Sequence, residues 1–511
     1  MKKLEEMTLQ EKIGQLIIVG FHSTYYDQHI CELVEKYRAG NIILFTRNFT
    51  DASQLKTLTT SLYNHIVKEN DIIPFIAIDQ EGGMVTRLVK DVTFAPSQMT
   101  CGASNVSSSA YTSGKIIARD MIKLGLNLDF APCLEVNNEL KNYTVNVRSY
   151  GASPKLVATL AHQFIKGLAE YGVLACTKHF PGEGKCLIDT HLELPILDVS
   201  KEEMHKTGLV PFIENIDVPC IMTTHTLFKA YDEYPATLSP KVIKGLLREE
   251  LGFKGMIVSD CLEMKAIQDH YTTPGGAVLA LKAGCDMVLV CHTKELQESA
   301  FEKVYEAVQN GIITEAEIDE KIKRILAYKR QILPYLEKYF LNNQLYKLDE
   351  NSSRLAQKIV DESLTKVLGD VPTIDGNTVV FAPTPRVSSI VEDEFEKRDL
   401  ATTLKTTFKN LKVINLEDDM ELPNLNNYQK IIVFSYDACK NLKQQNIINQ
   451  ILDNYPNVYV ISLKGPMDKE VLHNLKNYMC LYEYTPNSIK TIIKFFKKEL
   501  SPLGHLPLGY N

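Results

Sequence analysis

SPKVIKGLLREELGFKGMIVSD (Ser239–Asp260) holds the unit from which the fold of this chain is predicted. Its first half is amphipathic, begins with Ser-Pro and stops at Gly252, which is typical of a helix. Its second half, Met256–Ser259, is an apolar run that is too short for a helix and is followed directly by a carboxylate. Short runs rich in Ile and Val are typical of strands that are buried on both faces of a parallel sheet.

The same alternation of apolar runs and amphipathic stretches recurs from residue 13 to about residue 292. The predicted strands are Leu16–Phe21, Asn41–Phe45, Ile73–Ile78, Leu126–Ala131, Val173–Thr177, Cys220–Thr224, Met256–Ser259 and Asp286–Val290. Eight βα units in succession predict an α/β fold with a (β/α)8, TIM-like barrel. A doubly wound open sheet is the structural alternative.

A smaller α/β sandwich domain is predicted to follow the barrel. We assign residues 1–340 to the catalytic barrel, residues 341–370 to a helical linker and residues 371–511 to the sandwich, for which we expect a parallel sheet. The predicted strands of the sandwich are Thr378–Ala382, Lys412–Leu416, Lys430–Phe434, Val458–Leu463 and Met479–Tyr484. The segment holds no Gly-x-Gly-x-x-Gly and no phosphate-binding loop, so no nucleotide site is expected there.

Composition excludes several classes of partner. The 511-residue chain has a net charge of -7 and no Lys/Arg-rich stripe, so nucleic acid is not an expected partner. No apolar run approaches the ~18 residues of a membrane span, and Glu5, Glu6 and Glu11 interrupt the N-terminal stretch where a signal peptide would be apolar. The eleven cysteines are scattered and form no C-x-x-C. We therefore expect buried, reduced thiols, a cytoplasmic protein, no metal site and no cofactor.

Polar side chains follow the predicted strands at the end where a barrel of this kind carries its chemistry. Asp79 follows the third strand, Lys178 and His179 the fifth, His225 the sixth and Asp260 the seventh. A carboxylate at a strand end is rigid and partly desolvated, which suits a nucleophile. Taken alone, each has a structural alternative: Asp260 as a helix cap, Asp79 as a turn residue, Lys178 and His179 as loop surface, His225 as a core histidine. Their common position at one end of the barrel favours a functional site.

The segment KHFPGEGKCLIDTH (Lys178–His191) ends in an Asp-x-His triplet. In an extended segment, side chains two residues apart point the same way, so Asp189 can reach the imidazole of His191. A carboxylate there fixes the ring tautomer and stabilises the protonated ring. A histidine with such a partner is a candidate general acid/base near neutral pH.

Four motifs over residues 1–340 resemble glycoside hydrolase family 3, in particular its β-N-acetylglucosaminidases. KHFPGEG, KCLI and DTH keep the spacing of that subgroup's K-H-F-P-G-[HQ]-G and D-[ST]-H. DQEGGMVTR (Asp79–Arg87), LNLDFAPCLEVN (Leu126–Asn137) with the following RSYG, and PATLSPKVIKGLLREELGFKGMIVSD (Pro235–Asp260) resemble the other three. Residues 371–511 resemble only loosely the second domain that many members carry.

The resemblance implies a role for each matched residue. Asp260 would be the nucleophile, His191 the general acid/base and Asp189 the residue that orients it. The residues implied to hold the hydroxyls of the terminal sugar are Asp79, Arg87, Arg148, Lys178 and His179. The implied reaction is exo-acting cleavage of terminal β-N-acetylglucosamine with retention, through a covalent glycosyl-enzyme. The alternatives are another family 3 glycosidase, such as a β-glucosidase or a phosphorolytic variant, and a catalytically silent sugar-binding homologue.

Three residues depart from the family pattern. Met84 stands where Arg is usual, Glu135 where Asp is common, and Glu183 where His or Gln is usual. Glu183 lies in the catalytic loop and is an alternative candidate for the acid. Muropeptide fragments, chitin oligomers and other N-acetylglucosaminides all fit as substrates, and a cytoplasmic location favours cell wall recycling. The second domain is expected to stabilise the barrel, shape the cleft or form a homodimer.

Overall fold

The computed structural model describes residues 1–139, 142, 144–186, 193–342, 344–384, 392 and 399–508. Two predicted catalytic residues, Asp189 and His191, therefore lie outside the described residues. None of the helices in the described ranges is both long enough and apolar enough to cross a membrane.

The N-terminal part of the chain forms a closed barrel of eight parallel strands, in which consecutive barrel strands are neighbours and the eighth pairs with the first. The strands are β1 (Ile17–Val19), β2 (Asn41–Leu44), β3 (Phe75–Ile78), β4 (Leu128–Asp129), β5 (Leu174–Phe180), β6 (Cys220–Thr223), β7 (Met256–Cys261) and β8 (Met287–Val290). Each lies within or overlaps a predicted apolar run, so the predicted barrel is confirmed and the open sheet is excluded.

Helices cover the outside of the barrel. They are α1 (Leu9–Gly14), α2 (Gln28–Tyr37), α3 (Ala52–Asn70), α4 (Gln98–Ala103), α5 (Ser109–Lys123), α6 (Pro154–Ala169), α7 (Lys201–Lys206), α8 (Val210–Glu214), α9 (Lys265–Tyr271), α10 (Thr273–Ala283), α11 (Lys294–Gln309) and α12 (Glu315–Tyr339). The helix predicted after Ser239 spans Lys241–Glu250 and has π-type geometry. The Ser239 hydroxyl accepts a hydrogen bond from the Val242 N–H at 3.1 Å, which is the capping role expected of that serine.

The second domain contains a six-stranded sheet in the order β9-β14-β13-β12-β10-β11. Its strands are β9 (Thr365–Leu368), β10 (Thr378–Pro383), β11 (Lys412–Leu416), β12 (Lys430–Ser435), β13 (Val458–Ser462) and β14 (Tyr478–Cys480). Its helices are α13 (Glu350–Ser363), which precedes the sheet, α14 (Leu400–Thr407), α15 (Leu442–Asn454) and α16 (Pro486–Phe496).

Two expectations for this sheet were wrong. The sheet is not wholly parallel, because β9 pairs antiparallel with β14. Strand β9 lies in the segment predicted to be a helical linker. It follows α13 after a single residue, and only one of its four residues is buried, so its sequence lacks the apolar run typical of a buried strand. The exact domain boundaries stay predictions.

The two domains meet through buried polar contacts as well as apolar ones. Glu483 of the second domain is fully buried, and its Oε2 accepts hydrogen bonds from Ser97 N at 2.7 Å and from the Thr100 hydroxyl at 2.8 Å. The N–H of Tyr484 lies 3.2 Å from the sulfur of Met84, which is also buried. Met84 packs in the buried apolar cluster of the second domain, where the arginine usual in the family would need an anionic partner.

Candidate active site

A cavity of about 390 Å³ opens at the carboxyl ends of the barrel strands. It is lined by six of the eight predicted site residues: Asp79, Arg87, Arg148, Lys178, His179 and Asp260. These residues come from loops and strand ends between positions 79 and 260, and the barrel closes them around one space because all parallel strands end on the same face. The other two predicted residues, Asp189 and His191, fall within the undescribed range 187–192.

Five charged side chains form a largely buried cluster on one wall of the cavity. The Lys178 ammonium lies 2.7 Å from Asp79 Oδ1 and 2.8 Å from Glu81 Oε1. Arg148 holds Glu81 with two hydrogen bonds, Nε to Oε2 at 2.9 Å and Nη2 to Oε1 at 2.7 Å. Arg87 lies 3.7 Å from the second oxygen of Asp79. The paired geometry orders the donors that face the cavity.

The cluster shifts the pKa of Glu81 and of Lys178 in the direction that keeps each of them charged. Burial raises the pKa of Glu81, but the positive charges of Arg148 and Lys178 outweigh it and hold the pKa well below its usual range. Burial lowers the pKa of Lys178, and the carboxylates of Asp79 and Glu81 reverse this, so the net shift is upward. Glu81 was not predicted as a site residue. It is two residues from Asp79 in the same motif, and side chains at this spacing can share a face.

Glu135 holds the backbone at the end of β5, where His179 lies, and the backbone of the loop that follows. One of its oxygens accepts a hydrogen bond from His179 N at 2.8 Å, and the other accepts one from Glu183 N at 2.6 Å. Both oxygens are therefore used to hold the loop. This carboxylate, where the family commonly has Asp, acts on the backbone of the site.

His179 lies between Glu183 and Asp260. Its Nδ1 is 3.2 Å from Glu135 Oε1 and 3.6 Å from Glu183 Oε1, and its Nε2 is 4.0 Å from Asp260 Oδ2. Burial lowers the pKa of His179, but the charge of Glu183 and the hydrogen bond to Glu135 raise it above its ordinary value. A protonated His179 therefore carries positive charge toward Asp260.

Glu183 is itself almost fully buried. The hydroxyls of Thr224 and Thr226 donate hydrogen bonds to its Oε2, and Asn142 donates to its backbone oxygen at 2.9 Å. Burial raises the pKa of Glu183, although His179 opposes the shift. The departure from the family pattern at this position places a second ionisable carboxyl group beside the histidine.

Asp260 lies near the end of β7, and its side chain is 21% exposed in a strand whose other residues are buried. Its Oδ1 accepts a hydrogen bond from Cys261 N at 2.7 Å. It does not cap the following helix, because α9 begins after Met264 and has no side-chain cap. The helix-cap alternative for Asp260 is therefore excluded.

His225 is a core histidine, which was the structural alternative to a role in the site. It is fully buried, with Nδ1 at 2.9 Å from the Thr237 hydroxyl and Nε2 at 2.9 Å from the backbone oxygen of Cys261. Both ring nitrogens are engaged inside the protein, so the side chain supports the strand end that carries Asp260.

Sequence reasoning missed other residues that line the cavity: Arg47, Cys261, Cys291, His292 and Glu392. Arg47 follows β2 and donates to the backbone oxygens of Phe21 and Cys291, both at 2.9 Å. Arg47 could have been predicted, because it is a charged residue just after a predicted strand, as the other site residues are. Glu392 comes from the second domain, where it pairs with buried Lys464, and no local pattern pointed to it.

A TIM-like barrel with a carboxylate near the end of β7, faced by cationic donors and anionic acceptors, has the arrangement that a glycoside hydrolase needs. The family model for the N-terminal domain of glycosyl hydrolase family 3 matches residues 8–328. The chain belongs to glycosyl hydrolase family 3. The family and enzyme class predicted from the motifs are thus confirmed.

Three of the proteins that this chain resembles are named as β-N-acetylglucosaminidases or β-hexosaminidases. A family 3 β-N-acetylglucosaminidase from Paenibacillus sp. str. FPU-7 superposes with a TM-score of 0.90 at 32% identity, over 98% of this chain and 99% of that one. A β-hexosaminidase A of Pseudoalteromonas piscicida is 31% identical over 320 residues, 56% of this chain and 54% of its own length. A β-hexosaminidase of Photobacterium profundum is 34% identical over 268 residues, 52% of this chain and 78% of its own. The chain thus spans about half the length of the first of these two curated relatives.

Proposed function

We propose that the protein is a retaining, exo-acting β-N-acetylglucosaminidase. The observation that carries the proposal is the position of Asp260. It lies near a strand end and lines the same cavity as the cationic side chains that could donate hydrogen bonds to sugar hydroxyls. The similarity to the Paenibacillus β-N-acetylglucosaminidase extends over nearly the whole of both chains, which supports the same substrate class.

The cavity suits one terminal sugar ring. Its volume of about 390 Å³ is near the lower end of the range for small-ligand sites. Lys178, Arg87, Arg148 and His179 supply donors, and Asp79 supplies an acceptor, which together match the alternating donor and acceptor capacity of sugar hydroxyls. A site with room for about one ring suits the end of a sugar chain, so we infer exo action.

The proposed reaction has two displacements. Asp260 attacks the anomeric carbon as the bond to the leaving oxygen breaks, and His191, oriented by Asp189, donates its proton to that oxygen. His191 then takes a proton from water, whose oxygen attacks the anomeric carbon and releases Asp260. The protonated His179 favours the ionised form of Asp260 between turnovers.

A second candidate is a β-glucosidase whose acid comes from the second domain. The observation in its favour is that Glu392 of that domain lines the cavity. Against it, Glu392 pairs with Lys464, which is also held by Asp437 at 2.6 Å. A Glu392→Gln variant distinguishes the two hypotheses, because general acid catalysis should be lost only if the protein is a β-glucosidase that uses Glu392 as its acid.

The test is a comparison of p-nitrophenyl β-N-acetylglucosaminide with the corresponding β-glucoside. We expect turnover of the first in large excess, with the β-anomer of the sugar as first product by NMR. Repeating the assay with phosphate and following sugar 1-phosphate distinguishes hydrolysis from phosphorolysis. Turnover of the glucoside alone, or an α-anomer as first product, would overturn the proposal. The cytoplasmic location, the role in wall recycling and the homodimer stay predictions.

A further inference from the structure

We propose that Cys31, Glu35 and His65 form a Zn²⁺ site on the outside of the barrel, between α2 and α3. One potential ligand atom from each residue lies within 4.8 Å of the other two. Cys31 and Glu35 are four residues apart on α2 and thus share one helix face, and His65 faces them from α3. The site is separate from the active-site cavity, which none of the three residues lines.

The distance between His65 and Glu35 suits a tetrahedral metal ion. Ligands at about 2.0–2.3 Å from zinc in a tetrahedron lie roughly 3.3–3.8 Å apart. His65 Nε2 lies 3.5 Å from Glu35 Oε1, within that range. The contact is not an aligned hydrogen bond, because the buried Nε2 atom makes none with the described residues. A buried polar nitrogen without a hydrogen bond calls for an explanation, and a metal bound to its lone pair supplies one.

The donor set selects zinc by its chemistry. Thiolate, imidazole and carboxylate are the three ligand types of protein zinc sites, and water completes the fourth position. A thiolate, a carboxylate and a neutral imidazole balance the two charges of Zn²⁺. The ring of Tyr26 packs on His65 with centroids 5.0 Å apart, which restricts the orientation of the imidazole.

No metal site was expected from the sequence, because no cluster of ligand residues is visible along the chain. Here the third ligand lies 30 positions after the second, and only the packing of α2 against α3 brings it into reach. A metal at this position would tie the two helices together. It would also anchor the helix that follows the β1–α2 loop, whose Phe21 carbonyl holds the cavity residue Arg47.

A second group of possible metal ligands lies in the active site, and the test must distinguish it from the proposed site. Carboxyl and imidazole groups of Glu135, His179 and Glu183 also lie within 4.8 Å of one another. Both oxygens of that Glu135 already accept backbone hydrogen bonds, and the cluster belongs to the active site. A cobalt probe separates the two, because only a thiolate ligand gives a thiolate-to-cobalt charge-transfer band.

The experiment titrates metal-free full-length protein with Co²⁺ and then with Zn²⁺. We expect a charge-transfer band that saturates at one equivalent and disappears when Zn²⁺ displaces the cobalt. Cys31→Ser should abolish the band, and His65→Ala should lower the Co²⁺ affinity at least ~100-fold, since even outer contacts of a metal site change affinity 10–100-fold. Cys439→Ser is the matched control, because Cys439 is the other partly exposed cysteine of the described residues.

Two results would overturn the proposal: no band in the wild-type protein, or a band that survives in Cys31→Ser. Circular dichroism and turnover of the p-nitrophenyl substrate check that each variant is folded. If Cys31→Ser does not fold, Glu35→Gln decides instead, because it keeps the thiolate and should still weaken Co²⁺ binding. Unchanged affinity in a folded Glu35→Gln and a folded His65→Ala contradicts the site.

Discussion

The Glu183→Gln variant tests how the charge beside His179 tunes the site. Glu183 Oε1 lies 3.6 Å from His179 Nδ1 in a buried position. Two unit charges at this separation interact by about 4–5 kcal/mol at an effective dielectric constant near 20. The pKa of His179 should therefore fall in the variant, but by less than this energy alone would cause, because Glu135 and Asp260 still face the ring.

The expected result is a displaced pH profile. Loss of the Glu183 charge lowers the pKa of His179, so the ring loses its proton at a lower pH. The basic limb of kcat/KM, to which both His179 and the proposed acid His191 contribute, should therefore move toward acid. The same loss lowers the pKa of Asp260, since one nearby negative charge disappears. The acidic limb should therefore move the same way. The assay is hydrolysis of p-nitrophenyl β-N-acetylglucosaminide over the full pH range, with kcat/KM reporting groups of the free enzyme.

Glu203→Gln is the matched control for Glu183→Gln. It makes the same change of net charge, but Glu203 is a half-exposed residue of α7 that pairs with Lys185. Its pH profile should overlay that of the wild type. A profile of Glu183→Gln that also overlays the wild type would refute the electrostatic reasoning. An inactive Glu183→Gln beside a near-normal His191→Ala would instead make Glu183 the general acid.

Three further predictions concern catalysis, the buried cluster and the domain contact. His191→Ala should lose ~10²–10⁴-fold in kcat, measured with the same substrate, as removal of a general acid/base predicts. Glu81→Gln should cost about 3–5 kcal/mol in urea unfolding, because Arg148 loses its buried carboxylate, and the difference should shrink as the pH falls below about 4.3, since the folded-state pKa of Glu81 is depressed. Glu483→Ala should cost about 1–3 kcal/mol in thermal unfolding, because it leaves the Ser97 N–H buried without its partner.

The barrel could be predicted from the sequence because its strands are buried on both faces. Each strand is then a short continuous apolar run, and the next amphipathic helix separates it from its neighbour. Strand β9 could not be predicted in this way, because it is an edge strand in which only one of four residues is buried. Its apolar content is too low to stand out from the end of the preceding helix.

The site could be predicted where chemistry follows a strand directly. Asp79, Lys178, His179 and Asp260 all line the cavity for that reason. Arg87 and Arg148 came only from the family resemblance, since they lie in loops away from the strand ends. Glu392 was not predicted, because its position at the cavity depends on how the second domain packs on the barrel. No local sequence pattern indicates that packing.

The most direct test of the account is to trap the glycosyl-enzyme. A fluorinated N-acetylglucosamine analogue with an activated leaving group should form an adduct that breaks down slowly, and peptide mass spectrometry locates the modified residue. We expect the added mass on the peptide that contains Asp260, and none in Asp260→Asn. An adduct on another carboxylate, or complete turnover with inverted product and no adduct, would contradict the assignment of Asp260 as the nucleophile.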